Sequence, residues 1–591
     1  MLGEPEFIIL KTLLTGGAVN QRELAVQAKL SLGSVNASLK TLRDKRFLDG
    51  MSITDEGISA LGHHKVDNAI IMAAGMSTRF APLSYERPKG TLTVRGEVLI
   101  ERIIRQLQEA GITDITIVIG YMKEQYLYLE DKFNVSLVVS NWYKERNNHS
   151  SLYLVREKLA NTYIVTSDNY FVENPFESHV YQSYYSAIYH EGASKEYFLE
   201  TGSKDRITKV TVGGSDGWIM YGHVYYDKLF SSIFASILED TFELPETVNK
   251  LWEDIYIDHI KKLDMRIRRY SEGVIYEFDS LEEVRDFDED FITNIDSAIL
   301  SNIVTVLGCS RNDIRDITPI EQGLSNTSFY FKATEAGYVY RHPGQATVGL
   351  IDRAVEESVE KIAHTLGLDR TFVHLDSQTG WKISKHIDVS ESFDYHNPKH
   401  VRDAMTMIHR LHDSGVSVSN TFDLRTETDR IKKRMGKSAY LQFADFHELD
   451  DRAGRIYEFA IKHGAKMVLS HNDFYDPNIL VHNEELFLID WEYSGMSDYA
   501  SDLGTFICCS DYTYEQAVKV LEQYFDRELT PVELAHCISY VSLSGYYWFV
   551  WALNKEAEGE SVGEYLYLWY RYAREYGIRA ERLAQALLQG A

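Results

Sequence analysis

Apolar residues recur at helical spacing through the opening segment, in EFIILKTLLTGG, QRELAVQAKL and SLGSVNASLKTLRDKRFLDG, and again in SITDEGISAL. Positions three and four apart share one helix face, so residues 1–65 predict a small helical unit. Ser34 and Gly33 ahead of Val35 suit a helix N-terminus, which predicts a helix over 34–47. From Asp67 the pattern changes to short apolar runs alternating with amphipathic stretches: NAIIMAAG, VLIERIIRQLQEAG, DITIVIGY, LVVS and TYIVTSDNYF. Strands alternating with helices predict a parallel sheet covered on both faces. Near residue 297 a third pattern starts with SAILSNIVTVLG and continues into a strand pair around Gly323 and Arg341. Without repeats or a low-complexity linker, the chain reads as three abutting domains, 1–65, 66–296 and 297–591.

A length of 591 residues agrees, because it exceeds what a single core supports. The first domain resembles winged-helix regulators, whose recognition helix here would present Lys40, Arg43, Lys45 and Arg46. A net charge of -27 works against polyanionic partners, so docking or dimerisation is favoured over DNA binding for residues 1–65. Association of identical chains stays open. The four cysteines have neither the density of a disulfide framework nor the paired spacing of a zinc site. No apolar run approaches the length of a membrane span, and the N-terminus lacks the basic start of a secretory signal, so a cytoplasmic location is expected.

The first candidate site follows the first strand of the second domain. Ala73, Ala74 and Gly75 occupy the strand-to-helix turn, where a glycine's backbone freedom would let N–H groups approach a triphosphate. Arg79 and Lys89 would add positive charge, and AAGMSTRFAPLSYERPK resembles the signature of sugar-phosphate and phosphocholine nucleotidyltransferases. That resemblance implies a Rossmann-like α/β sheet, with Asp168 of SDNYF and Asp279 of VIYEFDS as the carboxylates that hold Mg²⁺. Asn147, Asn148 and Ser151 to Tyr153 resemble the NN-x-x-SL segment of phosphocholine cytidylyltransferases, which implies CTP and places Asn148 at the nucleotide and Tyr153 at the substrate. Trp252 and Tyr256, beside Glu253 and Asp254, are candidates to flank a quaternary ammonium; an amphipathic helix packing its aromatic face is the equal alternative.

The second candidate site has the H-x-D-x-x-x-x-N spacing of a kinase catalytic loop at His471, Asp473 and Asn478. Asp473 would accept the proton of the substrate hydroxyl, Asn478 would hold Mg²⁺, and Asp490, at the end of LFLID, would be the second metal ligand. The intervening HNEE fits a hairpin turn. Upstream, Ser325 and Asn326 lie in a turn suited to covering ATP phosphates. Arg341 followed by His-Pro-Gly resembles choline and ethanolamine kinases, and this implies a bilobal kinase-like fold with Glu356 as the partner of Arg341. The segment DWEYSGMSDYASDLG, with Glu492 and Asp502, supports the same resemblance. A three-residue step puts Trp548 and Trp551 on one helix face, where the resemblance makes them walls of a choline site, with Tyr565 and Glu492 nearby.

Together the two resemblances imply one bifunctional enzyme. The kinase half would make phosphocholine from choline and ATP, and the other half would combine it with CTP to give CDP-choline and pyrophosphate. Two alternatives remain: the same chemistry on ethanolamine or an aminoalkyl phosphonate, and a transcriptional regulator that senses choline metabolites.

Overall fold

A computed structural model describes residues 2–16, 20–320, 326–343, 352–436, 440, 442–559 and 561–590. The chain divides into two compact units, Met1–Asn302 and Ile303–Ala591.

The first unit opens with helices Glu4–Gly16, Gln21–Gln27 and Leu32–Asp44, a strand pair of Leu48–Asp49 with Ser52–Ile53, and helix Asp55–Gly62. Phe7, Ile9, Leu10, Leu24, Val35, Leu39, Leu42, Leu48 and Leu61 form their core, which is the periodicity seen in the sequence. The third helix starts two residues before the expected position because the Ser31 hydroxyl accepts the Ser34 N–H at 3.1 Å. It ends sooner because Arg46 turns left-handed, with φ of 60°. Its expected basic face is partly consumed within the unit: Arg43 donates to the Gly50 carbonyl, and Lys45 pairs with Glu6 at 2.7 Å.

Beyond these helices runs a seven-stranded sheet, ordered Arg266–Arg269, Tyr184–Thr201, Ile207–Tyr226, Thr162–Thr166, Asn68–Ala73, Ile115–Ile119, Ser136–Val139. Asn68–Ala73 is buried throughout and parallel to both neighbours, as a central strand covered on two faces should be. One face receives Ile100, Ile103, Ile104 and Leu107 of helix Leu99–Glu109. The other receives Phe230, Phe234 and Leu238 of helix Lys228–Thr241 together with Trp252 and Tyr256. The sheet is mixed rather than wholly parallel. An 18-residue and a 20-residue strand form an antiparallel hairpin that the alternation of short runs did not reveal. Breaks in its register, with positive φ at Gly192 and Gly213, bend it so that Phe198 comes to face Ile219.

The second unit has a five-stranded antiparallel sheet ordered Ile314–Ile320, Asn326–Ala333, Ala336–Pro343, Lys382–Lys385, Phe372–Leu375, with helix Arg353–Thr365 between its third and fourth chain segments. A helical lobe follows, built around the 27-residue helix Pro531–Ala557, most of which is buried. Two short strand pairs, Met467–Ser470 with Gly495–Asp498 and Ile479–His482 with Glu485–Leu488, carry the loops of the second site. The expected HNEE hairpin is present, with Asn483 and Glu484 both left-handed.

Candidate active sites

In the first unit the central strand delivers Ala73 at its end, and the loop beyond leads through Arg79 to a short 3-10 turn, Lys89–Thr91. A Cβ on Gly90 would lie 2.8 Å from the Ser167 Cβ, so glycine permits the close approach that brings Lys89 to the neighbouring strand end. There the Lys89 ammonium donates to Asp168 at 2.7 Å and lies 3.9 Å from Asp279. Arg79 reaches Asp279 at 3.3 Å. Asp279 arrives because strand Ile275–Glu277 pairs with Asn169–Phe171, and Phe278 N–H donates to the Asp168 carbonyl at 3.3 Å. Residues 200 apart in sequence thus gather within one cluster of two cations and two carboxylates. Burial pushes Asp168 up, but the charge and hydrogen bond of Lys89 overrule it and hold the carboxyl below its ordinary range.

The glycine expectation needs correcting. Gly75 is not left-handed; Ser77 is, with φ of 49°. The space above Gly75 is open, since an added Cβ would meet nothing within 4 Å. Four further expected residues are engaged elsewhere. Asn148 accepts the Trp252 N–H at 2.8 Å and donates to Glu253 at 3.4 Å, so its side chain fixes a helix start rather than facing the triphosphate loop. Tyr153 stacks on Phe242 at 3.7 Å with Arg156 over its ring. Trp252 and Tyr256 are core residues, 2% and 0% exposed, and so wall no open cleft; the packing alternative holds because an amphipathic helix buries its aromatic face.

Glu277 was not singled out from the sequence. Its carboxyl accepts the Gly222 N–H at 3.1 Å, and burial, then Asp168 and Asp279, push its pKa well up. A period-two reading of EFD would have put Glu277 and Asp279 on one strand face.

In the second unit, Asn478 donates to the Asp473 carbonyl at 2.9 Å and to its carboxylate at 2.8 Å. Burial, then Asp490, raises Asp473 well above the carboxylate range. The loop is held from behind by Asp502, fully buried, which accepts the N–H groups of His471 at 2.9 Å and Asn472 at 2.5 Å and lies 2.9 Å from His412 Nε2. Asn472 and Asp490 are both left-handed, with φ of 66° and 64°. Arg341 pairs with Glu356 at 2.5 Å and approaches Asp490 at 3.6 Å and Glu492 at 3.9 Å. A second arginine, Arg353, pairs with Glu356 at 2.6 Å and approaches Glu492 at 3.6 Å. Glu492 is therefore flanked by arginines, though burial and Asp490 still raise it to about 7. Ser325 lies outside the described residues, and Asn326 begins a strand.

The expected aromatic residues come together. Trp548 meets Trp551 at 5.6 Å and Trp569 at 5.7 Å, and Tyr565 stacks on Trp569 at 5.1 Å. Tyr565 links this group to a carboxylate that the sequence did not single out: the hydroxyls of Tyr395 and Tyr565 donate to Asp476 Oδ1 at 3.3 and 3.5 Å. Asp476 lies inside the HNDFYDPN motif, three residues after Asp473, where its place in the motif masked its separate role.

Comparison with known proteins follows the same division. Residues 69–189 match the MobA-like NTP transferase domain family, and residues 316–537 match the phosphotransferase enzyme family. A choline-phosphate cytidylyltransferase of Streptococcus pneumoniae is 37% identical over 221 residues, 37% of this chain and 96% of that protein. The chain belongs to the cytidylyltransferase family. A 2-aminoethylphosphonate cytidylyltransferase of Lancefieldella rimae is 33% identical over 38% of this chain and 93% of its own length. The crystal structure of choline kinase LicA from Streptococcus pneumoniae is 21% identical, covering 49% of this chain and 98% of that one with a TM-score of 0.41. This cytidylyltransferase thus carries a phosphotransferase in the same chain, and it is an enzyme with two transfer activities. No helix among the described residues is long and apolar enough to cross a membrane.

Proposed function

We propose that the second unit transfers the terminal phosphoryl group of ATP to choline and that the first transfers CMP from CTP to the phosphocholine formed. In the first step the choline oxygen bonds to the γ-phosphorus, its proton passes to Asp473, and ADP leaves. In the second a phosphocholine oxygen bonds to the α-phosphorus of CTP and pyrophosphate leaves. The observation that carries the substrate is the cluster of Trp548, Trp551, Trp569 and Tyr565, whose Tyr565 hydroxyl reaches the Asp476 carboxylate, in a chain whose other half is a cytidylyltransferase. Aromatic faces and one negative charge suit a quaternary ammonium, which offers no hydrogen-bond donors.

Mg²⁺ is the implied ion in both sites, and the donor atoms fit it. Asp168 Oδ1, Asp473 Oδ1 and Asp490 Oδ1 are buried without a hydrogen-bond partner. In both sites phosphate oxygens and water would complete the ion's shell. Asp168 and Asp279 would hold it in the first site, Asn478 and Asp490 in the second, where it would neutralise charge on the phosphates. Lys89 and Arg79 serve the CTP oxygens, and Arg341, fixed by Glu356, serves those of ATP.

The test is to supply the full chain with choline, ATP, CTP and Mg²⁺ and to look for CDP-choline, ADP and pyrophosphate. Absence of CDP-choline in active preparations would refute the reading. The Lancefieldella relative favours a second reading, an aminoalkyl phosphonate as the acceptor for CMP; direct competition between phosphocholine and 2-aminoethylphosphonate separates the two. For residues 2–62 we propose a winged-helix unit used for docking, since Arg43 and Lys45 are already engaged and Glu4 and Lys11 bind Arg266 and Glu177 at 2.9 Å.

A further inference from the structure

Neither transfer uses a cavity of about 690 Å³ in the first unit, between the opening helix Glu4–Gly16 and the edge strand Arg266–Arg269. Its size falls in the range of small-molecule sites. Phe7, Val180 and Ile267 give it apolar walls, and the ring of Tyr181 lies alongside, itself stacked on His64 at 5.3 Å.

The charges at its surface are not evenly satisfied. Glu177 is saturated, paired with Lys11 at 2.9 Å and with Arg268 at 3.1 Å, and Arg268 also donates to the Tyr184 hydroxyl at 3.0 Å. Asp205 is taken by Arg269 at 2.9 Å. Arg266 behaves differently. Only its Nη1 is engaged, by both oxygens of Glu4 at 2.9 Å, so its Nε and Nη2 have no side-chain partner among the described residues. Lys29, exposed at the rim, has no ion-pair partner among the described residues. Every acidic side chain on the lining therefore has its cation, whereas two cationic groups retain unused donors.

We infer that this cavity binds a small organic anion, a phosphate or carboxylate carried on an apolar or aromatic body. A guanidinium edge and an ammonium together match the oxygens of such a group, and the apolar walls match its body. A cationic ligand finds no free carboxylate here.

Phenyl phosphate and benzoate are suitable probes, with benzyl alcohol and benzyltrimethylammonium as neutral and cationic controls. Hydrogen exchange of the full chain should slow in residues 4–16, 177–184 and 266–269 with one or both anions and with neither control. Whichever anion binds more tightly assigns the oxyanion. Lys29→Glu and Arg266→Gln should each weaken the binding by about tenfold, as loss of one charge-assisted contact does, without changing either transfer rate. Should Arg266→Gln fold poorly, Lys29→Glu, on an exposed side chain, still decides. Protection by benzyl alcohol equal to that by the anions, no protection by either anion, or unaltered binding in Lys29→Glu would each overturn the inference. None of these results bears on the two transfers, which the choline, ATP and CTP assay tests separately.

Discussion

The two proposed catalytic clusters would each receive a nucleoside triphosphate, yet Asp168 and Asp473, the carboxylates at their centres, are held in opposite ways. In the cytidylyltransferase site two cations already hold two carboxylates: Lys89 sits at 2.7 Å from Asp168, and Arg79 at 3.3 Å from Asp279. Asp168 is accordingly held below its usual range. In the kinase site Asp473, Asp490 and Glu492 crowd together, Arg341 and Arg353 are anchored first to Glu356, and Asp473 is raised well above its usual range. Pairing with Lys89 favours the ionised form of Asp168 before substrate arrives. The second site stores carboxylate repulsion that a cation would relieve.

The largest expected effect tests whether the sites are independent. Asp473→Asn should lower choline phosphorylation by about 10³-fold, the scale of losing a general base, while CMP transfer from supplied phosphocholine continues unchanged. The same substitution should stabilise the unliganded chain near neutral pH, because it removes a carboxyl whose ionisation burial and Asp490 oppose; a lowered melting temperature would contradict the electrostatic contrast. Asp168→Ala should do the reverse in both respects. Cytidylyl transfer should fall by on the order of 10²-fold with phosphorylation intact. Calorimetry should show a loss of about 3 kcal/mol, because the Lys89 ammonium loses its nearest buried partner.

A third expectation concerns pH. Burial raises Glu253 from 4.5 to about 7, so the folded state binds its proton more tightly than the unfolded chain. The resulting stability is fully present below 4.5 and is lost as pH rises through about 7, a change of up to about 3 kcal/mol. Glu253→Gln should flatten this part of the unfolding profile; an unchanged slope would place the titration elsewhere. The smallest effect separates choline binding from chemistry. Asp476→Asn should raise the KM for choline about tenfold with kcat nearly constant, as expected for one lost charge contact to an ammonium. An equal fall in kcat would instead place Asp476 with the reacting groups.

Much of this chemistry was legible because it is written in short local motifs. The turn before Arg79, the spacing of His471, Asp473 and Asn478, and the strand ending in Asp490 all depend on neighbours within a few residues, and helix and strand periodicity locates them. What was misread depended on distant partners. Trp252 and Tyr256 have the composition of a cage, but helix Lys228–Thr241 and the hairpin cover them. Asn148 fits a family segment, yet its amide is consumed by residues more than a hundred positions away. The bent hairpin was invisible because its register breaks interrupt the period-two pattern.

By itself the sequence determined the strand ends that carry the carboxylates and the spacing of His471, Asp473 and Asn478, because backbone geometry fixes those relations locally. Only the tertiary structure decided which charges neutralise one another, which aromatics pack together and which hydroxyls meet Asp476, and where the unused donors of Arg266 and Lys29 face a cavity. Those outcomes depend on burial and on pairing between residues far apart in the chain, which periodicity and spacing do not encode.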